Sequence, residues 1–213
     1  MDSVIQEQIN KTLQELNQIK KPVERSRISK TPNGYIFLVA WSNASLLRIL
    51  NRKFTDSLPK SEFRLKAQAD DSCRSVIANI EEGFARQTTS EYINFLGYSR
   101  ASLIEEKGDI QRSLQDGFLK SVLGSSLKSL GIDLAEWHEV LKKSVVFKRN
   151  YRNLEDYIGK INTQDLTYEI FIELINKTDW NIRKLVESLE KKLNQDQKFY
   201  QVEKMRTYEK FKK

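Results

Sequence analysis

Residues 3–20 place Ile5, Ile9, Leu13, Leu16 and Ile19 at steps of four, four, three and three, which lays one apolar stripe along an amphipathic helix. Lys21-Pro22 closes that helix. The polar stretch to Pro32-Asn33-Gly34 reads as a linker, because proline and glycine interrupt the periodicity. A second helix is predicted from Tyr35 to about Phe54, where Ile36, Val39, Leu46, Leu47 and Leu50 cover a wide arc. So broad an arc, with the N-terminal helix beside it, is a candidate surface for self-association. After Ser57-Leu58-Pro59, the residues Leu65, Ala69, Ser72, Cys73, Val76, Ile77 and Ile80 hold a 3.6-residue rhythm up to Gly83, read here as the C-terminal cap of a third helix.

Thr88-Thr89-Ser90-Glu91 fits a capping box, in which a hydroxyl and a glutamate three residues on satisfy each other's free amides. The helix that follows runs from about Ser90 to Gln115 on Tyr92, Phe95, Leu96, Ser99, Leu103, Ile110 and Leu114, and Asp116-Gly117 ends it. Between 118 and 162 the pattern breaks, leaving helical patches around Ile132 to Leu141 and Tyr151 to Ile158. It recovers at Thr163, the expected N-cap of a long helix carrying Leu166, Ile170, Leu174, Ile182, Leu185, Leu189 and Leu193. From Lys198 to Lys213, basic residues alternate with Phe199, Tyr200, Tyr208 and Phe211, with too few aliphatic side chains to form a core.

Eight Gly and three Pro in 213 residues leave few turns, so long helices and almost no strand are expected. The chain has 36 Lys and Arg against 29 Asp and Glu, a net charge of +7. Residues 142–213 carry 17 basic and 11 acidic side chains, while residues 1–141 carry 19 and 18. The surplus therefore sits in the C-terminal third, where it attracts phosphate backbones or other anionic surfaces in a salt-dependent way. The single cysteine, Cys73, excludes an intrachain disulfide. Met1-Asp-Ser-Val-Ile-Gln-Glu has no signal-peptide character, and no run approaches 18 apolar residues. The expectation is a soluble cytoplasmic protein that does not meet a membrane.

Two polar clusters interrupt apolar helix faces: Ser75, Asn79 and Glu82 on one helix, and Arg100, Ser102 and Glu105 on the next. An unpaired buried polar group costs about 1–3 kcal/mol, so the two clusters are expected to pair and fix helix register. Enzyme chemistry has little to stand on. His138 is the only histidine, no glycine-rich phosphate loop is present, and Cys73 belongs to an apolar stripe. Asp70, Asp71, Glu81, Glu82, Glu105, Glu106 and Asp109 are oxygen donors but read as a solvated acidic face, with no Glu-x-x-His pair. No catalytic residue, metal or cofactor is expected.

Ser75-Val-Ile-Ala-Asn79-Ile-Glu-Glu82-Gly83-Phe-Ala-Arg86, followed by Phe95-Leu96-Gly-Tyr-Ser-Arg100-Ala-Ser102-Leu-Ile-Glu105, resembles the four-helix-bundle proteins related to the rRNA intervening-sequence proteins. That family includes the accessory variability determinants of diversity-generating retroelements. The resemblance covers about residues 35–120, and residues 163–195, with Asn176, Trp180 and Arg183, look more loosely like a helical suffix found in longer members. It implies an all-α, antiparallel up-down four-helix bundle, here with an extra N-terminal helix and a helical C-terminal extension. The expected units are 1–34 (helix and linker), 35–195 (bundle, with an irregular insertion at about 118–162) and 196–213 (basic aromatic tail). It further implies a ring-shaped homo-oligomer, typically a pentamer, without catalytic activity, and in the retroelement members binding to RNA and a reverse transcriptase. Asn79, Glu82, Gly83, Arg86, Arg100, Ser102 and Glu105 carry the family pattern. Asp70, Asp71 and Glu81 depart from it by adding negative charge, which moves the expected RNA contact toward the C-terminal third.

The candidate nucleic-acid footprint there is Lys142, Lys143, Lys148, Arg149, Tyr151 and Arg152, with Lys204, Arg206, Lys210, Lys212 and Lys213 in the tail. Cations meet phosphates and aromatic rings stack on unpaired bases. The same residues also fit a solvated face whose long side chains snorkel. The expectation is a non-enzymatic homo-oligomeric scaffold that binds RNA or an RNA-handling protein such as a reverse transcriptase; the alternative is a purely protein-binding or self-assembling scaffold.

Overall fold

The computed structural model describes Glu7, residues 31–147 and residues 158–211, and of 146, 147, 200, 203, 204 and 206–211 it describes the backbone alone. The expected N-terminal helix at 3–20 and the patch at 151–157 lie outside the described residues. Within them the chain is all-α: α1 (Val39–Thr55), α2 (Phe63–Ala85), α3 (Thr89–Gln115), α4 (Leu134–Phe147) and α5 (Tyr168–Phe211). The one strand-like feature among the described residues is an isolated bridge between Lys120 and Thr167.

Successive long helices pack side by side: α1 against α2, α2 against α3, α3 against α5, and α5 back against α1. Leu46, Leu47, Leu50, Val76, Ile80, Leu96, Leu103, Ile110, Ile170, Phe171 and Leu174 fill the space between them and are essentially inaccessible. Phe54 and Phe171 meet edge to face at 5.9 Å, joining α1 to α5. The wide apolar arc of α1 is explained by α4, which lies on it. Trp137 of α4 is fully buried, and its indole Nε1 donates to the Ser42 carbonyl at 2.8 Å. Most of the arc proposed for self-association is therefore internal, with Phe37 and Val39 left exposed.

Thr88 caps α3 as its sequence predicts: its hydroxyl accepts from the Glu91 amide at 3.2 Å, and the Glu91 carboxylate returns to the Thr88 amide at 3.2 Å. Gly83 does not end α2. The helix continues to Ala85, and Gly83 is buried where α3 comes closest. A Cβ there would stand 2.7 Å from Cβ of Phe95 and 2.8 Å from Cδ2 of Tyr92, so glycine permits the approach rather than a turn. Thr163 is likewise not the N-cap of the last helix. It opens a 3-10 turn, Thr163–Asp165, its hydroxyl donates to the Lys53 carbonyl at 3.4 Å, and α5 begins at Tyr168.

Glu169 and Glu173, in the first turns of α5, hold the segment that follows α3. Glu169 accepts from the Ser121 hydroxyl and from the Val122 amide at 2.9 Å, and Glu173 accepts from the Leu127 amide at 2.8 Å. From there α5 runs on for 44 residues, about 66 Å at 1.5 Å per residue. Leu185, Val186 and Leu189 still rest against the core. The tail expected at 196–213 is no separate element as far as Phe211, because no proline or glycine interrupts the helix.

Candidate nucleic-acid interface

The motif residues shared by α2 and α3 meet around Gly83. The close approach that Gly83 allows brings Tyr92 and Phe95 over the end of α2, and Phe84 packs edge to face on Tyr92 at 6.0 Å. Arg86 follows, its guanidinium 4.3 Å from the Phe95 ring centroid and 3.9 Å from the Glu82 carboxylate. Glu82 and Arg86 are both exposed, so the pair contributes little as an ion pair. The larger share comes from Arg86 covering the aromatic face.

The two polar clusters do not meet in the way their spacing predicts. Arg100 reaches α5 instead, where its Nε donates to Asp179 at 2.8 Å, and Asp179 also accepts from Arg183 at 2.9 Å. Ser75, Asn79 and Ser102 are half-buried and Glu105 is exposed. The hydrogen bonds that cross from α2 to α3 use other residues: the Ser72 hydroxyl donates to Glu106 at 2.6 Å, and the Ser99 hydroxyl donates to the Val76 carbonyl at 2.8 Å. Sequence spacing identified the right pair of helices but the wrong residues, because Glu106 reads as one more surface carboxylate until α2 covers it.

Glu106 is 0% exposed. Burial pushes its carboxyl from 4.5 up to about 7, against the hydrogen bonds from Ser72 and Cys73, and the charges of Asp109 and Asp70 push the same way as burial. The Cys73 thiol beside it is fully buried and pushed well up, first by burial and then by Glu106. Of the acidic departures from the family pattern, Asp70 and Glu81 bond to α1, and Asp71 stays on the surface. Asp70 accepts from Thr55 Oγ1 at 2.8 Å and Asn51 Nδ2 at 3.3 Å, and it lies 3.4 Å from Arg52. Glu81 accepts from the Trp41 indole at 2.7 Å, and exposed Asp71 pairs with Arg74 at 3.1 Å.

Of the expected footprint, Lys142 and Lys143 stand on α4: Lys142 is half-buried and paired with Glu139, and Lys143 is exposed. Lys148, Arg149, Tyr151, Arg152, Lys212 and Lys213 lie outside the described residues. Lys204, Arg206 and Lys210 fall on the backbone of α5, with side chains outside the description. His138, also on α4, is half-buried, and its imidazole pKa is lowered by burial and then by Lys142. Among the described residues, no group of three or more His, Cys, Asp or Glu is placed to hold a metal ion, and no helix is long and apolar enough to cross a membrane.

Among the described residues the protein is all-helical, and of its motif residues Gly83, Arg86 and Arg100 serve helix packing while Glu82 and Glu105 remain exposed. The chain belongs to the 23S rRNA-intervening sequence protein family, whose model matches residues 37–157, more than half of its length. The matched span takes in α1 to α4 and ends before α5. A comparison with curated proteins finds no match.

Proposed function

We propose that the chain is a non-enzymatic, homo-oligomeric helical scaffold that binds RNA or an RNA-handling protein such as a reverse transcriptase. The observation that carries this reading is the family match over residues 37–157, to a family whose name ties it to an rRNA intervening sequence. The match includes Lys142 to Arg152, the densest basic stretch of the footprint. We read α1, α2, α3 and α5 as an antiparallel up-down four-helix bundle. In support, Trp41 meets Glu81 while Thr55 meets Asp70, and Ser72 meets Glu106 while Val76 meets Ser99. A catalytic Cys73 is disfavoured because a fully buried thiol with a raised pKa supplies no thiolate.

The test is RNA affinity measured as a function of salt, for the full chain and for a variant carrying Lys148→Glu, Arg149→Glu and Arg152→Glu. Each single-strand phosphate contact contributes a slope of about −0.7 in log K against log salt. If all three residues meet phosphates, the variant slope is shallower by about 2. Affinity no greater than that of a charge-matched control protein would sink the RNA reading and favour a scaffold that binds only proteins.

A further inference from the structure

Asn43 is 1% exposed, and neither its amide nitrogen nor its carbonyl oxygen has a hydrogen-bond partner. A buried carboxamide left unpaired is costly and rare in folded proteins, so its position calls for an explanation. It lines the floor of a pocket of about 340 Å³ between α1, α4 and α5. Val39, Leu134 and Trp180 contribute apolar lining, beside Asn176 and Lys177. Trp180 is 54% exposed although it is the largest side chain there.

We propose that this pocket captures one unpaired base of a single-stranded RNA, an inference that rests on the RNA-binding reading above. The volume falls at the low end of small-ligand sites, roughly 300–1,000 Å³, and suits one flat ring rather than a folded ligand. Trp180 offers the aromatic face on which an unstacked base rests, and Val39 with Leu134 offers apolar lining. The Asn43 carboxamide supplies one donor and one acceptor side by side, the complement of a base edge. Its polar atoms are buried beneath the apolar lining, so base binding requires the carboxamide to turn about its side-chain bonds toward the pocket, and that turn would replace an unpaired buried group with a paired one. Two cations stand near the lining residues and could meet flanking phosphates: Lys184 Nζ lies over the Trp180 ring, 5.9 Å from its centroid, and Lys107 Nζ donates to Asn176 at 3.5 Å. Trp180, Asn176 and Lys177 lie on α5, beyond the matched span, so half of the pocket comes from outside the family match.

The tryptophan complement makes the test direct, since Trp41 and Trp137 are buried and fluorescence quenching by a stacked base reports on Trp180. The full chain is titrated with single-stranded homopolymer RNAs, a duplex RNA of equal charge, and nucleoside monophosphates. Quenching by single strands and not by duplex is expected. Trp180→Ala weakens single-strand binding about tenfold or more and leaves duplex binding unchanged, while Trp180→Phe restores most of the loss. Asn43→Leu changes the ranking among homopolymers. Single strands that bind without quenching, and equally well in all variants, would overturn the base pocket and leave the RNA scaffold standing. Absence of any RNA binding would remove the RNA reading, and this proposal with it, and leave a scaffold that binds only proteins. Monophosphates quenching as strongly as strands would also overturn it.

Discussion

Glu106 sits in the seam between α2 and α3 with one carboxylate oxygen receiving the Ser72 hydroxyl and the other unpaired. Burial is the dominant cause of its rise to about 7. Between its ordinary 4.5 and about 7 the folded chain holds a proton that the unfolded chain has released, so stability falls as pH rises through that window and levels off above it. The displacement amounts to about 3 kcal/mol at 1.36 kcal/mol per unit. Glu106→Gln keeps the shape and removes the charge. Its urea midpoint is expected to exceed the parent's at pH 8 and to change far less between pH 5 and 8. A parent profile that rises with pH over this range, carried by no other group, would contradict the assignment.

At the scale of the element, α2 and α3 depend on the space left by Gly83. An alanine Cβ there would stand 2.7 Å from Cβ of Phe95, an atom fixed close to its own backbone, so the two helices must separate. Overpacking of this kind costs about 1–3 kcal/mol, partly offset by the roughly 1 kcal/mol that alanine contributes to helix propensity. Gly83→Ala is therefore expected to lower stability by up to about 2 kcal/mol, seen as an earlier urea midpoint with an unchanged slope. The same helices show what the sequence makes legible. Period and capping chemistry are local, so the start of α3 and the Thr88 box follow from residues within one turn, whereas Pro59 opens a 3-10 turn, Lys60–Glu62, and α2 starts only at Phe63 without a side-chain cap. Gly83 read as a cap because a close approach is set by the partner helix. Arg100 read as a partner for α2 because Asp179, its actual partner, lies 79 residues away. The unpaired Asn43 was invisible for the same reason, since its pocket joins α1, α4 and α5.

For the whole molecule, the proposed self-association needs a face that the fold leaves free, and α1 does not provide most of one. The outer side of α3 does. Gly97, Ala101, Ile104 and Gly108 follow at steps of four, three and four, so they share the side opposite the buried Tyr92, Leu96, Ser99, Leu103 and Ile110. Ile104 is 67% exposed, and a Cβ built at Gly97 meets nothing within 4 Å. From Gly97 to Ile104 the strip joins small residues to one large apolar side chain, which lets a second helix approach closely, and the Arg112 guanidinium closes it at Gly108. Charge on such a strip would be desolvated without a partner and would oppose association. Absolute mass in solution is expected to show a closed assembly of several subunits for the parent chain and single subunits for Ile104→Glu, with helical content unchanged. An assembly that persists in Ile104→Glu would move the contact to the N-terminal segment or to exposed Phe37 and Val39. A parent chain that is a monomer at every concentration would leave the RNA contact to one subunit, and the charge of residues 142–213 would then have to supply it alone.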